Sequence, residues 1–155
     1  MTEDQPLTKN FSLFEMLLSQ QAARYAFDEQ YEPSDKIIEN LTLLCKHVLQ
    51  PLRNELKTTI SVSSGYRCPR LNSAIGGASK SQHLTGQAAD IACFKTGNEA
   101  LLRKIVAMKL PFDQVINEFN YRWVHVSYDP KRNRRQILEA YKNNMQQTKY
   151  REVVL

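Results

Sequence analysis

The sequence predicts an α+β protein, a small antiparallel sheet with N-terminal helices packed on it. Three observations point there. Apolar residues recur at helical spacing between residues 12 and 52. Segments rich in β-branched residues appear only from Thr58 onward, and two apolar runs flank a short turn near residue 120, the pattern of a hairpin. Helices that precede and interrupt the strands, rather than alternating regularly with them, indicate α+β instead of a parallel α/β sheet.

Taken in order, Ser12 and Glu15 form a capping-box pair, and Phe14, Leu17 and Leu18 follow at helical spacing, so a first helix is expected from about Ser12 to Phe27. A second opens after Pro33 with Ser34 as its N-cap. Ile37, Ile38, Leu41, Leu44, Cys45, Val48, Leu49 and Leu52 make one broad apolar face, and Pro51 predicts a kink near the end. His47 falls between these core positions and reads as a solvent-facing or partly buried side chain, not a ligand. Thr58 to Ser63 (TTISVS) predicts a strand that ends in the loop SGYRCPR. A short helical turn is expected around Leu71 to Ile75, before the Gly76-Gly77 break. Ala88 to Cys93 predicts a second strand, and Glu99 to Met108 a third helix carrying Leu101, Leu102, Ile105 and Val106. Phe112 to Phe119 and Trp123 to Tyr128 then pair as an antiparallel hairpin around the turn NYR.

With 155 residues, 42% of them hydrophobic, the chain can bury one core and is short for two. We read a single domain over residues 1–155, with a helical N-terminal region (residues 1–57), a core (residues 58–130) and a basic tail (residues 131–155). No apolar run approaches the roughly 20 residues of a transmembrane helix, and MTEDQPLTKN has neither a basic n-region nor an apolar h-region. No transmembrane segment is therefore expected, and the chain reads as cytoplasmic when synthesised. Cys45, Cys68 and Cys93 are an odd number without a CxxC pair, which suits small buried side chains. The net charge of +5 lies wholly in the tail, where seven Lys or Arg face two Glu; the rest of the chain balances at 14 against 14. Such a tail is either a solvated helix or a surface for an anionic polymer. It lacks interleaved aromatics beyond Tyr141 and Tyr150, so no nucleic-acid partner is expected.

Chemistry concentrates in SQHLTGQAAD, Ser81 to Asp90. His83 and Asp90, joined by His125 downstream, are residue types that bind zinc through imidazole nitrogen and carboxylate oxygen, leaving a fourth position for water. On spacing alone two readings stand. One is a metal corner. The other is a polar turn at Gly86, with Ala88 and Ala89 packing and Asp90 capping.

The stretch SGYRCPRLNSAIGGASKSQHLTGQAADI, followed by WVHVS, resembles the zinc D-Ala-D-Ala peptidase family. That family includes D,D-carboxypeptidases, dipeptidases and phage endolysins acting on peptidoglycan stem peptides, and it shares its fold with the hedgehog signalling domain. Its pattern S-x-H-x-x-G-x-A-x-D is met by Ser81, His83, Gly86, Ala88 and Asp90, and W-x-H by Trp123 and His125. The resemblance covers Ser61 to Tyr128 and leaves out the first 55 residues and the basic tail. It implies a hedgehog/DD-peptidase-like fold, with Zn2+ as cofactor on His83, Asp90 and His125. It also implies that Arg67 binds substrate and stabilises developing negative charge, and that Ser81 contacts substrate or orients the first ligand. The implied substrate is the peptidoglycan stem peptide, cut as a D,D-carboxypeptidase or an L-Ala-D-Glu endopeptidase, in a phage or prophage endolysin that acts at the cell wall once released.

One position departs from the pattern. Many members carry their catalytic glutamate as E-x-x-H, where this chain has Arg122. The nearest acid upstream is Glu118, with Asp113 further back and Asp129 beyond the histidine. In an antiparallel hairpin, opposed residues share a face, as do residues two apart on one strand. A two-residue loop sets Glu118 against Trp123 and on the face of His125; a four-residue loop sets it against His125 itself; a three-residue loop turns it away. Glu118 is thus the candidate general base, while Asp113 has the wrong parity. The missing glutamate also fits a second reading, an inactive zinc-binding module of the same fold.

Overall fold

The computed structural model describes residues 4–155. A two-stranded antiparallel sheet, β1 (Pro6–Thr8) and β2 (Phe11–Ser12), opens the chain. Ser12 caps α1 (Leu13–Leu17) as its spacing predicts, its Oγ accepting from the Glu15 N–H at 3.3 Å. The helix does not reach Phe27, however. Ser19 accepts from the Ala22 N–H and starts a separate α2 (Gln20–Arg24), so a local side-chain bond interrupts the run. Ser34 caps α3 (Asp35–Leu44), accepting from the Ile37 N–H. The chain continues through one π-helical turn, Cys45–Leu49, into α4 (Gln50–Leu56). Pro51 lacks an N–H and crowds the carbonyl four residues back; the widened turn just before it absorbs that defect without breaking the helix. Leu41, Leu44, Cys45, Val48, Leu49 and Leu52 are all fully buried along this rod. His47 is half-buried and stacks on Tyr128, ring centroids 4.9 Å apart. All three cysteines are free and buried.

The larger sheet has six strands, β3 (Ser61–Ser64), β4 (Ala88–Ala92), β5 (Gln114–Glu118), β6 (Trp123–Ser127), β7 (Gln136–Lys142) and β8 (Thr148–Glu152). Their spatial order is β3-β4-β6-β5-β7-β8, antiparallel throughout except for the parallel β5–β7 pair. Two helices interrupt the strands, α5 (Pro69–Ala74) and α6 (Asn98–Ala107). The class is α+β as expected, but the sheet is larger and mixed.

The extra strands come from the basic segment, which is neither a solvated helix nor a loose tail. After β6 the chain crosses the start of β5, and there the Arg134 guanidinium makes two 2.8 Å bonds to the Asp113 carboxylate. The backbone locks beside it: Arg135 N–H donates to the Phe112 carbonyl and Gln136 N–H to that of Asp113. β7 therefore begins level with β5, Gln114 against Gln136, and runs the same way.

Because side chains alternate across a sheet, each strand serves two surfaces. Ala89, Ile91, Val115, Val124 and Val126 face the helices and share one core with Leu49, Leu101 and Ile105. Asp90, His125 and Glu118 occupy the intervening positions, on the opposite face.

Candidate metal centre

The site is built on a loop that the helices hold from behind. Gly65 lies so close to the Met16 carbonyl that any Cβ would collide with it, and the Tyr66 N–H donates to that same carbonyl at 2.9 Å. Gln30, fully buried, donates through Nε2 to the carbonyls of Leu17 and Tyr66 and accepts through Oε1 from the Cys68 N–H. These bonds fix the Gly65 carbonyl, which accepts from His83 Nδ1 at 2.6 Å.

His83 sits on a 3₁₀ turn, Gln82–Thr85. Ser81 caps it, Oγ accepting from the His83 N–H at 3.2 Å, and Gly86 closes it with φ of 73°. Glycine is required there twice over, since a Cβ would also stand 2.9 Å from the Ile37 carbonyl. Asn40 on α3 donates to the Thr85 carbonyl, and the Arg67 N–H to that of His83.

Asp90 and His125 are direct partners across β4 and β6. Asp90 Oδ1 lies 3.1 Å from His125 Nδ1 and 3.2 Å from His83 Nε2, and the three residues offer ligand atoms all within 4.8 Å of one another. The group suits a cation. A carbonyl can only accept, so His83 Nδ1 carries the hydrogen, and burial opposes the charged imidazolium although Asp90 favours it. The neutral ring then turns the lone pair of Nε2 toward a carboxylate oxygen, a contact that a positive ion between them would satisfy. Burial works against ionisation of Asp90, yet positive charge at the His83–His125 position, whether on the imidazoles or on an ion between them, outweighs it and holds the carboxyl well below the usual carboxylate range. Two imidazole nitrogens and one carboxylate oxygen, with one histidine fixed through its other nitrogen, match the composition of a zinc site.

Glu118 opposes Trp123 and so shares the face of His125. That is the register expected of a two-residue loop, although the unpaired turn spans residues 119–122. Phe119, Asn120 and Tyr121 all adopt left-handed backbone (φ 53°, 57° and 61°), which lets a longer turn close on this register. The Arg122 N–H donates to the Glu118 carbonyl while its side chain is exposed. Glu118 itself is buried; burial pushes its carboxyl up to about 7, with Asp90 adding to the shift and His125 and Arg67 opposing it.

Arg67 donates to Asn72 Oδ1 at 3.1 Å, and its Nε is buried with no partner. A groove of about 1310 Å³ over the sheet gathers Arg67, Ser81, His83, Asp90, Glu118 and His125, every residue the sequence singled out for chemistry. Asp113, set aside on parity, is held by Arg134 and accepts from Gln82 Nε2 at 3.0 Å, which ties the basic segment to the turn that carries His83. The Asp129 carboxylate accepts from the Lys131 N–H. Sequence reasoning missed the Gly65 carbonyl and Gln30; no spacing marks a carbonyl, and DEQY reads as polar surface.

A buried carboxylate beside a His–Asp–His group, on one face of an α+β sheet, is the equipment of a metal-dependent hydrolase. The family model for Peptidase M15 matches residues 9–127, and the chain belongs to that family of zinc metallopeptidases of the D-Ala-D-Ala carboxypeptidase type. No curated protein matches the chain. The match begins well before Ser61, so the N-terminal helices belong to the family unit, in keeping with their hold on Gly65 and Gly86. It stops before β7 and β8. Among the described residues, no helix is long and apolar enough to cross a membrane.

Proposed function

We propose that the protein is a zinc peptidase that hydrolyses peptidoglycan stem peptides, as a D,D-carboxypeptidase or an L-Ala-D-Glu endopeptidase, on a single hedgehog/DD-peptidase-like domain over residues 1–155. The observation that carries this reading is Glu118, a buried carboxyl on the face of the His83–Asp90–His125 group. Those three residues would hold Zn2+. When bound, the metal supplies a Lewis acid that polarises a carbonyl and brings the pKa of water toward neutrality.

Glu118 takes the proton of the attacking water and returns it to the leaving amine. Burial raises the Glu118 carboxyl above the ordinary glutamate range in the metal-free protein, which suits a group that must both take up and give back a proton. Arg67 binds the substrate oxygen through Nε, a donor whose isolation in the free protein is unfavourable and which a substrate acceptor would relieve. Ser81 acts from the groove wall, orienting His83 through its cap and meeting substrate at its rim. Lys80 and Arg132 also line the groove and suit the carboxylates of a stem peptide. A phage or prophage endolysin is a setting in which such an enzyme would meet the cell wall. Glu118 in the groove also counters the inactive-module reading that Arg122 invites.

The test is to incubate zinc-loaded protein with stem peptides and follow new amino groups, alongside His125→Ala and Glu118→Ala. The wild type is expected to release amines and both variants to lose that release. Wild-type release no greater than that of His125→Ala would sink the peptidase; full activity in Glu118→Ala would sink only the base assignment.

A further inference from the structure

The face that carries the ligands continues past Glu118 onto strands outside the family match. In register, Glu118 on β5 pairs with Ala140 on β7, and Ala140 with Tyr150 on β8. Directly paired residues share a face, so Tyr150 projects on the side of Glu118, with one strand between them. At roughly 4.8 Å between neighbouring strands, the two backbones stand about 10 Å apart. The residue between them is a buried alanine, packed with Ile116, Leu138 and Phe119, and its small side chain lets a long one from β8 lie toward Glu118. Tyr150 lines the same groove as Arg67, His83, Asp90 and His125, and at 54% exposure its ring is not serving as core.

We propose that Tyr150 is a further catalytic residue, whose phenol donates a hydrogen bond to the oxygen of the scissile carbonyl alongside Arg67. The proposal rests on the zinc-peptidase reading above. Negative charge builds on that oxygen as water adds, and a donor fixed in advance stabilises it. One Arg67 nitrogen is already engaged with Asn72, so a second, neutral donor complements the guanidinium. Burial, with Glu118 and Asp90 nearby, pushes the phenol's pKa upward against the opposing effect of Arg67, which keeps it a donor at neutral pH. β7 and β8 then become the wall of the groove that the first 127 residues do not supply.

The experiment uses the full chain, zinc-loaded, as wild type and as Tyr150→Phe. Three quantities are read: kcat and KM on a stem peptide, calorimetric affinity for phosphinate analogues of D-Ala-D-Ala and of L-Ala-D-Glu, and melting temperature. Tyr150→Phe is expected to lower kcat about tenfold or more with KM within about twofold, and to weaken the better analogue about tenfold. Its melting temperature stays at that of wild type, since the hydroxyl is not part of the core. A Tyr150→Phe protein that matches wild type in both kcat and analogue affinity overturns the proposal and leaves the peptidase intact. Wild type that binds an analogue but cleaves nothing overturns the peptidase and with it the catalytic role of Tyr150. Wild type that does neither overturns both.

Discussion

The two faces of the six-stranded sheet are made by the same strands and obey opposite rules. On β6 the order is Val124, His125, Val126; on β4 it is Ala89, Asp90, Ile91. His125 and Asp90 each stand between two residues that are wholly buried on the helical side. The helical face stabilises, each buried aliphatic side chain contributing about 1.5–3 kcal/mol. The groove face costs stability: Glu118 is buried as an acid and Arg67 keeps a donor without an acceptor. Placing polar groups and core side chains on alternate residues lets the packed face set the geometry of the groove face.

Substitutions on each face test this division. On the groove face, Glu118→Gln is expected to lower kcat by about 10²–10⁴-fold while zinc remains stoichiometric by elemental analysis; a loss of zinc would move Glu118 from base to ligand. On the helical face, Ile91→Ala should cost about 2–5 kcal/mol in urea unfolding, yet leave kcat per folded molecule near wild type.

Protonation offers a third comparison, made on metal-free protein. The Glu118 carboxyl titrates near 7 when folded against 4.5 ordinarily, so between those values the folded state binds more protons than the unfolded one. The contribution of Glu118 to stability is therefore lost as pH rises through that window, a loss that Glu118→Gln lacks. The variant should match wild type near pH 4 and exceed it by up to about 3 kcal/mol at pH 8, read from unfolding curves at both values. Asp113→Asn, which weakens the Arg134 anchor where the basic segment joins β5, should cost about 1–3 kcal/mol. The smallest effect is a gain: Asn120→Gly, at a left-handed position, should raise stability by up to about 1 kcal/mol in the same measurement.

The His83–Asp90 corner was legible because the two residues are seven apart and their types are few; His125, 35 residues beyond Asp90, was marked by the W-x-H resemblance. Glu118 was reachable through strand parity alone, although the turn that sets its register uses three left-handed residues that no loop count anticipates. Ser12 and Ser34 announced their helices, but Ser19 also carried a cap signal that the apolar spacing of Leu17 and Leu18 masked. The strands β7 and β8 were hidden. QILEAYK alternates weakly, TKYRE is exposed at every position, and β7 joins the sheet beside β5 where Arg134 meets Asp113 across 21 residues. Gln30 was hidden for a related reason, since its partners at Leu17, Tyr66 and Cys68 are neighbours only after folding.

Trp123 is the chain's single tryptophan. It opposes Glu118, lies edge-on to Phe119 at 5.7 Å and borders the groove. Indole emission from this protein thus originates at one point beside the buried Glu118 carboxyl. The molecule carries its own optical probe, and fluorescence can test, without an attached dye, whether an ion or a peptide enters the groove.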